Sequence, residues 1–381
     1  MTHSFNKHDI TRDACMLRGP LRRQGYDWWW HSLTARDENG TEKPFFIEFF
    51  VCNPDLAEDE PVLGQLPANA AAHKMHSYLM VKAGCWGEDH CQLHRFFAWK
   101  DVNMHADAPF SIDAADCYAS ETRIAGRIKI TAEEAAAHPE WMCDAGEMSW
   151  DLQVDKLIAF NVGYGASKPL RDVEAFAMYW HAEGMKSAFS GTIMLNGRKY
   201  TVTPDTCYGY ADKNWGRDFT SPWVWLSSNH LVSKKTGKQL MYSVFDIGGG
   251  RQKIYFVPLD RRLLGVFYYE GREFDFNFSK VWLDVRTKFS FREDEERVYW
   301  HVVQENVHAV MDTMIICEKK DMLLVNYEAP DGSKKHNRLW NGGNGFGVVK
   351  LYERKQGGLE LIDEIEATHV GCEYGEYDIE Q

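Results

Sequence analysis

Alternation of apolar and polar residues with a period of two runs through most of this 381-residue chain. About 18 separate stretches carry it, and the pattern is typical of strands that bury one face. Clear examples are residues 26–33, 45–52, 223–229 and 241–245. Turn-forming pairs such as Asn196-Gly197 separate many of these stretches. The chain is therefore predicted to be all-β, with antiparallel strands joined by short turns.

The number of strands favours two barrels over one, because a single small barrel closes at ~8 strands. We expect an N-terminal barrel in residues 1–205 and a C-terminal barrel in residues 206–381. A functional site is expected near the junction, since ligand sites favour domain interfaces and barrel mouths.

One short helix and one loop interrupt the strand pattern. Thr131 and Glu134 match a capping box, the alanine-rich run to Ala137 has high helix propensity, and Pro139 is expected to end the helix. The glycine-rich stretch 341–347 is predicted to be a flexible loop at a pocket rim.

Composition excludes several classes of function. The net charge of −13 argues against nucleic acid or an anionic membrane as the main partner. The nine cysteines include no Cys-x-x-Cys pair, so neither a zinc knuckle nor a disulfide framework is indicated. Residues 1–9 lack the apolar core of a signal peptide, and no apolar run approaches the ~20 residues that span a bilayer. We therefore expect a cytoplasmic protein without a transmembrane segment, and the oligomeric state stays open.

The densest functional signal lies just after the expected barrel boundary. It reads Tyr208-Gly209-Tyr210-Ala211-Asp212-Lys213-Asn214-Trp215-Gly216-Arg217. An acid, a cation, an amide and two tyrosine hydroxyls stand here among aromatic residues. A plain turn between strands would need only the glycines, so this segment predicts polar chemistry inside an apolar pocket.

Neighbouring strands offer candidate pocket walls. In 223–229, Trp223, Trp225 and Asn229 share one strand face, and in the first strand Trp28 and Trp30 share a face. The sequence does not decide which faces point inward. Glu48 shares a face with Phe46 and Phe50, so either this face is solvated or Glu48 is buried and functional. Because buried carboxylates seldom lack partners, Glu48 is a second acid–base candidate. His181 is a candidate polar group around an organic ligand.

Structural roles compete with each of these interpretations. Asp212 can pair with Lys213 or Arg217 or cap a turn, and Lys213 can be solvated or salt-bridged. Asn214 and Asn229 can satisfy buried backbone groups, and each indole can be ordinary core. No metal site is expected, because His90 and His94 would share a strand face but lie too far apart for one ion.

The residues of the central motif resemble the tocopherol cyclase family and the related carotenoid hydratases. The resemblance covers 210–216 and continues through Phe219, Ser221, Trp223, Trp225 and Asn229. The run Tyr26-Asp27-Trp28-Trp29-Trp30 is similar to the tryptophan-rich first strand of the same superfamily. The resemblance implies two lipocalin-like β-barrels in tandem.

The resemblance also implies a chemistry. It implies a cofactor-independent isomerase or cyclase that protonates a hydrophobic, unsaturated, prenylated, terpenoid or phenolic small molecule. Asp212 would be the proton donor, with Tyr210 or Tyr208 positioning the acceptor hydroxyl, while Trp28, Trp30, Lys213, Asn214, Trp215, Trp223, Trp225, Asn229 and His181 would contact the substrate. A hydratase that adds water to a similar double bond and a non-catalytic carrier of an apolar ligand remain as alternatives.

Overall fold

A computed structural model describes most of the chain. The described residues are 10–64, 66–160, 172–251, 253–254, 257–258, 262–325, 327, 329–332 and 339–376. Two large antiparallel sheets account for most of them, with two short α-helices at Pro67–Ala71 (α1) and Ala132–Ala137 (α2). The 3-10 helices span Ile10–Arg12, Gly19–Arg22, Trp99–Asp101, Pro139–Trp141, Val281–Leu283 and Lys319–Asp321.

The first sheet has 12 strands. They are β1 (Tyr26–Asp37), β2 (Glu42–Cys52), β3 (Tyr78–Cys85), β4 (Cys91–Phe97), β5 (Asn103–His105), β6 (Ser111–Ala114), β7 (Cys117–Ser120), β8 (Arg123–Ile130), β9 (Gly146–Phe160), β10 (Met178–Leu195), β11 (Arg198–Val202) and β12 (Gly209–Gly216). Their order is β4-β3-β2-β1-β11-β10-β9-β8-β7-β6-β5, and β12 continues the position of β11 between β1 and β10. The sheet curls until β4 approaches β8 and β9.

The second sheet has 11 strands. They are β13 (Trp223–Ser228), β14 (His230–Ser233), β15 (Val244–Gly250), β18 (Arg262–Tyr269), β19 (Arg272–Asp275), β20 (Arg286–Glu293), β21 (Arg297–Glu305), β22 (Ala309–Glu318), β23 (Met322–Val325), β24 (Leu339–Lys355) and β25 (Gly358–Gly375), while β16 (Lys253–Ile254) and β17 (Val257–Pro258) pair separately. Their order is β19-β18-β15-β13-β25-β24-β22-β21-β20, and β14 and β23 pair beside β25 and β24. The ends of this sheet also meet, because the Gln304 side chain on β21 donates to the Leu263 carbonyl on β18 at 3.0 Å.

This architecture confirms the all-β prediction of two tandem lipocalin-like barrels with a short helix. The helix has the expected capping box: the Thr131 hydroxyl accepts from the Glu134 amide at 3.1 Å, and the Glu134 carboxylate accepts from the Thr131 amide at 2.8 Å. The chain leaves the first sheet after Gly216 and enters the second at Trp223. The division into domains 1–205 and 206–381 stays a prediction, although β12 pairs entirely within the first sheet.

Two local predictions were wrong. Residues 241–243 are not strand, since β15 begins at Val244 and the side chains of Met241 and Tyr242 are exposed. The stretch 341–347 is not a loop but part of β24. Its glycines serve close packing: a Cβ atom at Gly343 would lie 2.3 Å from the Trp86 indole.

Three apolar clusters form the core. One fills the first sheet around Trp29, Phe45 and Trp150, and another fills the second sheet around Phe267 and Trp300. The third combines aromatic residues from both sheets and lies where the sheets face each other. Within the described residues, no helix has the length and apolarity needed to cross a membrane. The cytoplasmic location stays a prediction.

Candidate active site

A narrow aromatic chamber lies in the third cluster, between the two sheets. We call it the central chamber, and it is lined by Trp28, Trp30, Asp212, Trp223, Trp225, Tyr327 and Glu373. These residues come from β1 and β12 of the first sheet, from β13 and β25 of the second, and from the segment after β23. Met178, Phe219, Thr220 and Leu339 extend the lining on one side. The two sheets are therefore both needed to build it.

The central chamber is nearly filled by its own side chains. The space open to the centre of a water-sized sphere is about 20 Å³, which is room for about one water. An organic ligand therefore enters only if aromatic side chains move. A wider cleft of about 710 Å³ lies beside β4 and α2, but its walls include charged side chains such as Arg127, which is paired with Glu147. It lacks the buried acids of the central chamber.

Asp212 is the acid of the central motif, and it faces the central chamber. Its Oδ2 atom accepts hydrogen bonds from the Trp180 indole N–H at 2.8 Å and from the Tyr210 hydroxyl at 3.0 Å. Burial raises the pKa of Asp212 to about 7, against the opposing effect of these two bonds. At neutral pH this carboxyl group is thus poised between its acid and its carboxylate.

A second aspartate shares the Tyr210 hydroxyl. Asp246 Oδ2, on β15, also lies 3.0 Å from it, and the Trp225 indole N–H lies 3.2 Å from both the Tyr210 oxygen and Asp246 Oδ1. One hydroxyl has one proton and can donate to only one carboxylate, so the other aspartate must carry a proton of its own. Burial, and next the charge of Asp212, raise the pKa of Asp246 well above its ordinary value.

Glu373 supplies a further carboxyl group to the chamber wall. Its Oε2 accepts from the Trp223 indole at 2.5 Å and its Oε1 accepts from the Asn341 amide at 2.5 Å. Burial raises the pKa of Glu373 to about 7, although both hydrogen bonds oppose this rise. Because both oxygens accept hydrogen bonds, its carboxylate form is better solvated by the protein than that of Asp212.

Glu48 lies next to the central chamber, behind Tyr327. Its Oε2 is 2.7 Å from the Lys82 ammonium and accepts from the Tyr327 hydroxyl at 2.9 Å, and Lys82 also donates to that hydroxyl at 3.0 Å. Glu48 and Lys82 are fully buried. This strand face is therefore buried rather than solvated, and the Glu48 carboxylate is compensated by the Lys82 ammonium.

Indole and phenol rings form most of the chamber wall. Trp28 stacks on Tyr327 with ring centroids 5.3 Å apart, and Trp30 stacks on Phe46 at 5.4 Å. Trp223 and Trp225 point the same way from β13 and turn their N–H groups to Glu373 and to the Asp246–Tyr210 pair. Such faces attract a positive charge that develops beside them.

Lys213 and Trp215 are not part of the central chamber. They project from the face of β12 opposite to Asp212, as alternation along a strand requires. Lys213 is fully buried in an ion pair with Asp27, and its ammonium lies 4.0 Å from the Trp29 ring centroid. Trp215 stacks on Tyr179 at 5.5 Å. The structure thus places both residues away from the central chamber, and their substrate contacts stay predictions.

The two asparagines and Tyr208 also lie outside the chamber lining. Asn214 accepts from the Tyr26 hydroxyl at 2.8 Å. Asn229 donates to the carbonyls of Met185 and Gly209 at 3.0 and 2.8 Å, which is the structural role that competed with substrate binding. Tyr208 packs against the imidazoles of His230 and His369, with ring centroids 4.1 and 4.3 Å away.

His181 belongs to a buried ionic cluster of the first sheet. Its Nε2 lies 3.2 Å from Asp13, and Asp13, Glu121 and Glu183 surround the Lys156 ammonium at 2.9 to 3.0 Å. These three carboxyl groups are the one set in the described part of the chain whose spacing suits a metal ion. Lys156 already supplies the positive charge at their centre, so the arrangement has the features of a structural ion-pair network.

Sequence reasoning missed Glu373, Asp246, Trp180 and Tyr327. Asp246 interrupts the apolar run Val244-Phe245-Asp246-Ile247, which was a readable sign of a carboxyl group forced into a core. Glu373 carries no such sign. Its position in the chamber wall depends on the pairing of β13 with β25, which brings Glu373 opposite Trp225 although the two residues are far apart in the sequence.

Comparison with known proteins gives one family match and several distant structural likenesses. The family model described as "Tocopherol cyclase-like" matches residues 137–375. Kievitone hydratase from Nectria haematococca is 10% identical over 99% of this chain and 94% of its own, with a TM-score of 0.47. CghA, solved with Sch210972, is 12% identical over 93% of this chain and 89% of its own, also with a TM-score of 0.47.

Likenesses this distant carry no argument about the reaction, and no curated protein matches the sequence significantly. The family model, in contrast, covers well over half of the chain and includes the motif around Asp212, β13 and Glu373. The protein is therefore a member of the tocopherol cyclase-like family.

Proposed function

We propose that this protein is a cofactor-independent isomerase or cyclase that protonates a hydrophobic, unsaturated small molecule in the central chamber. The observation that carries the proposal is Asp212, a carboxyl group of pKa about 7 that lines an aromatic cavity. A carboxylic acid needs such a raised pKa to stay protonated near neutral pH and act as a general acid. Family membership supports the cyclase type of reaction.

Each oxygen of Asp212 has a separate task in this proposal. Oδ2 is held by Trp180 and Tyr210, whereas Oδ1 has no hydrogen bond from the described residues. Oδ1 therefore carries the proton and gives it to one carbon of a substrate double bond. The electron pair of that bond forms the new C–H bond, and the other carbon becomes electron-poor. The two donors at Oδ2 then stabilise the aspartate anion.

The chamber wall and Glu373 complete the cycle. The faces of Trp28, Trp30, Trp223 and Trp225 stabilise the electron-poor carbon. A hydroxyl of the same substrate attacks this carbon and closes a ring, and Glu373 takes the proton that the hydroxyl releases. The donors at both Glu373 oxygens favour its carboxylate, so it starts as the base while Asp212 starts as the acid. The net change in the substrate is an isomerisation, and proton exchange with the solvent then returns Glu373 to its carboxylate and Asp212 to its acid.

A hydratase is the second candidate, and the size of the chamber favours it. The space beside Asp212 and Glu373 has room for about one water. Water held there would attack the same electron-poor carbon, with Glu373 again taking a proton. The two reactions differ in the nucleophile alone. A carrier of an apolar ligand would need the aromatic wall but no proton donor.

Product mass separates these functions. The purified protein is incubated with an extract of apolar metabolites, and bound ligands and products are followed by native mass spectrometry and chromatography. A product with the mass of its substrate supports the isomerase or cyclase, and a gain of one water supports the hydratase. A ligand released unchanged would overturn both in favour of a carrier.

The Asp212→Asn variant tests the acid. We expect ligand affinity to be retained and turnover to fall by ~10²-fold or more, because general acid catalysis typically contributes 10²–10⁴-fold. Asp363→Asn is the matched control, since Asp363 is a buried aspartate of the second sheet that pairs with Tyr269. Equal turnover in the Asp212→Asn variant and the wild type would remove Asp212 from the mechanism.

A further inference from the structure

Two cysteines face each other at the closed end of the β3–β4 hairpin, one on each side of its loop. Cys85 is the last residue of β3, Cys91 is the first of β4, and they are direct partners in the antiparallel register. Their Sγ atoms are 3.7 Å apart. Opposed residues of antiparallel strands have Cα atoms about 4.5–5.5 Å apart. This spacing lies within the roughly 4.4–6.8 Å that a disulfide spans, so a bond between these sulfurs needs no change of strand register.

The two cysteines differ in their exposure and in the pKa of their thiols. Cys91 is partly exposed, whereas Cys85 is fully buried. The hydrogen bond with Cys91, and more weakly the positive charge of Lys43, lower the pKa of Cys85. The same hydrogen bond, with Cys85, raises the pKa of Cys91 well above its ordinary value, so a partly exposed thiol lies in contact with a buried sulfur that more readily forms a thiolate.

We propose that Cys85 and Cys91 are a redox modification site that closes to an intramolecular disulfide by exchange with a small-molecule disulfide such as oxidised glutathione. The Cys85 thiolate takes the proton of the Cys91 thiol as Cys91 attacks one glutathione sulfur, and the glutathione thiolate that is expelled takes this proton in turn. The Cys85 thiolate then attacks the Cys91 sulfur, forms the Cys85–Cys91 bond and expels the second glutathione. The two cysteines lose two electrons and two protons, and one glutathione disulfide becomes two thiols.

The loop between these two cysteines connects the first sheet to the second. Glu88 forms a 2.8 Å ion pair with Lys320, and the Gly87 amide donates to the Asp321 carbonyl at 3.4 Å. Trp86 donates to the Asn341 amide oxygen at 2.8 Å, and Asn341 in turn donates to Glu373 of the central chamber. The loop that the disulfide would close therefore lies two hydrogen bonds away from Glu373 of the chamber wall.

One peptide reports the proposal directly. Residues 83–95 lie between Lys82 and Arg95 without an internal lysine or arginine, so trypsin releases both cysteines in a single peptide. The folded protein is equilibrated in glutathione buffers of increasing oxidised fraction, alkylated, digested and weighed. We expect the doubly alkylated peptide to be replaced by a form without alkyl groups that has lost two hydrogens, and dithiothreitol to restore it.

Single variants separate the pair from ordinary exposed thiols. Cys85→Ser should leave Cys91 as a stable mixed disulfide with glutathione, and Cys91→Ser should abolish oxidation of this peptide. Cys143→Ser is the matched control because Cys143 is another partly exposed cysteine, and it should oxidise like the wild type. A wild-type peptide that stays doubly alkylated in excess oxidised glutathione, or that stops at the Cys91 mixed disulfide, would overturn the proposal.

Discussion

At the scale of single residues, the protonation of Asp212 depends on neighbouring residues that shift its pKa in opposite directions. Trp180 donates to its Oδ2 and favours the carboxylate, while Asp246 competes for the proton of Tyr210. The motif around Asp212 was readable in sequence, but this competition was not, because Asp246 lies on a strand of the other sheet. Alternation along β12 places Lys213 and Trp215 on the face opposite to Asp212, and the sequence prediction did not use this difference.

Replacing Asp246 by asparagine should lower the pKa of Asp212. The variant replaces a carboxyl group that can carry a negative charge by a neutral amide, and a neutral neighbour favours the Asp212 anion. The high-pH limb of the kcat profile should then move to lower pH, and a shift of one unit would reduce the rate above the limb about tenfold. KM should change little because Asp246 is not part of the chamber lining. An unmoved limb would contradict the shared proton.

Replacing Trp180 by phenylalanine should act in the opposite direction. The change removes the 2.8 Å indole hydrogen bond to Asp212 and keeps an aromatic ring. Since that bond favours the carboxylate, its loss should raise the pKa of Asp212 and move the same limb to higher pH. The pH dependence of kcat is measured for both variants. Shifts of the high-pH limb in the same direction would refute the roles that we assign to Asp246 and Trp180.

At the scale of strands and helices, sequence patterns served best where local chemistry decides the structure. The capping box of α2 and the strands with a regular alternation were readable for that reason. The glycine-rich part of β24 was wrongly predicted to be a flexible loop. Its glycines are needed for close packing against Trp86 and Met314. Residues Met241 and Tyr242 were wrongly predicted to lie in a strand. Both side chains are exposed, and apolar character alone does not show burial.

Gly343→Ala tests this account of β24. A Cβ atom there would lie 2.3 Å from the Trp86 indole, so the indole or the strand must shift. Overpacking of this kind costs about 1–3 kcal/mol and should lower the midpoint of chemical denaturation. Gly357→Ala is the control because nothing lies within 4 Å of its added Cβ, and it should change stability by less than about 0.5 kcal/mol. Equal effects would refute the packing argument.

At the scale of the whole molecule, the chamber exists because two sheets meet. Each sheet has its own apolar core, and the third cluster between them holds the acids and indoles. The number of strands and the position of the motif predicted a site near the junction, but the contribution of Glu373 depends on long-range strand pairing that no local pattern encodes.

The buried acids should also make stability fall as pH rises. Asp212 and Glu373 have a pKa of about 7 in the folded protein, against ordinary values of 3.8 and 4.5. Between about pH 4 and pH 7 these two groups bind more protons in the folded than in the unfolded state, so their contribution to the free energy of unfolding declines across this window. The slope of denaturation midpoint against pH should flatten in the Asp212→Asn, Glu373→Gln double variant. An unchanged slope would contradict these pKa values.

Deuterium transfer from solvent shows directly whether Asp212 protonates a carbon of the substrate. Once a substrate has been identified, the reaction is run in D₂O, where the acidic proton of Asp212 exchanges with the solvent before transfer. The account predicts one carbon-bound deuterium in the product of the wild type and of the Asp363→Asn control, and no product above background from Asp212→Asn. A product without carbon-bound deuterium, or one formed equally well by Asp212→Asn, would contradict protonation by Asp212.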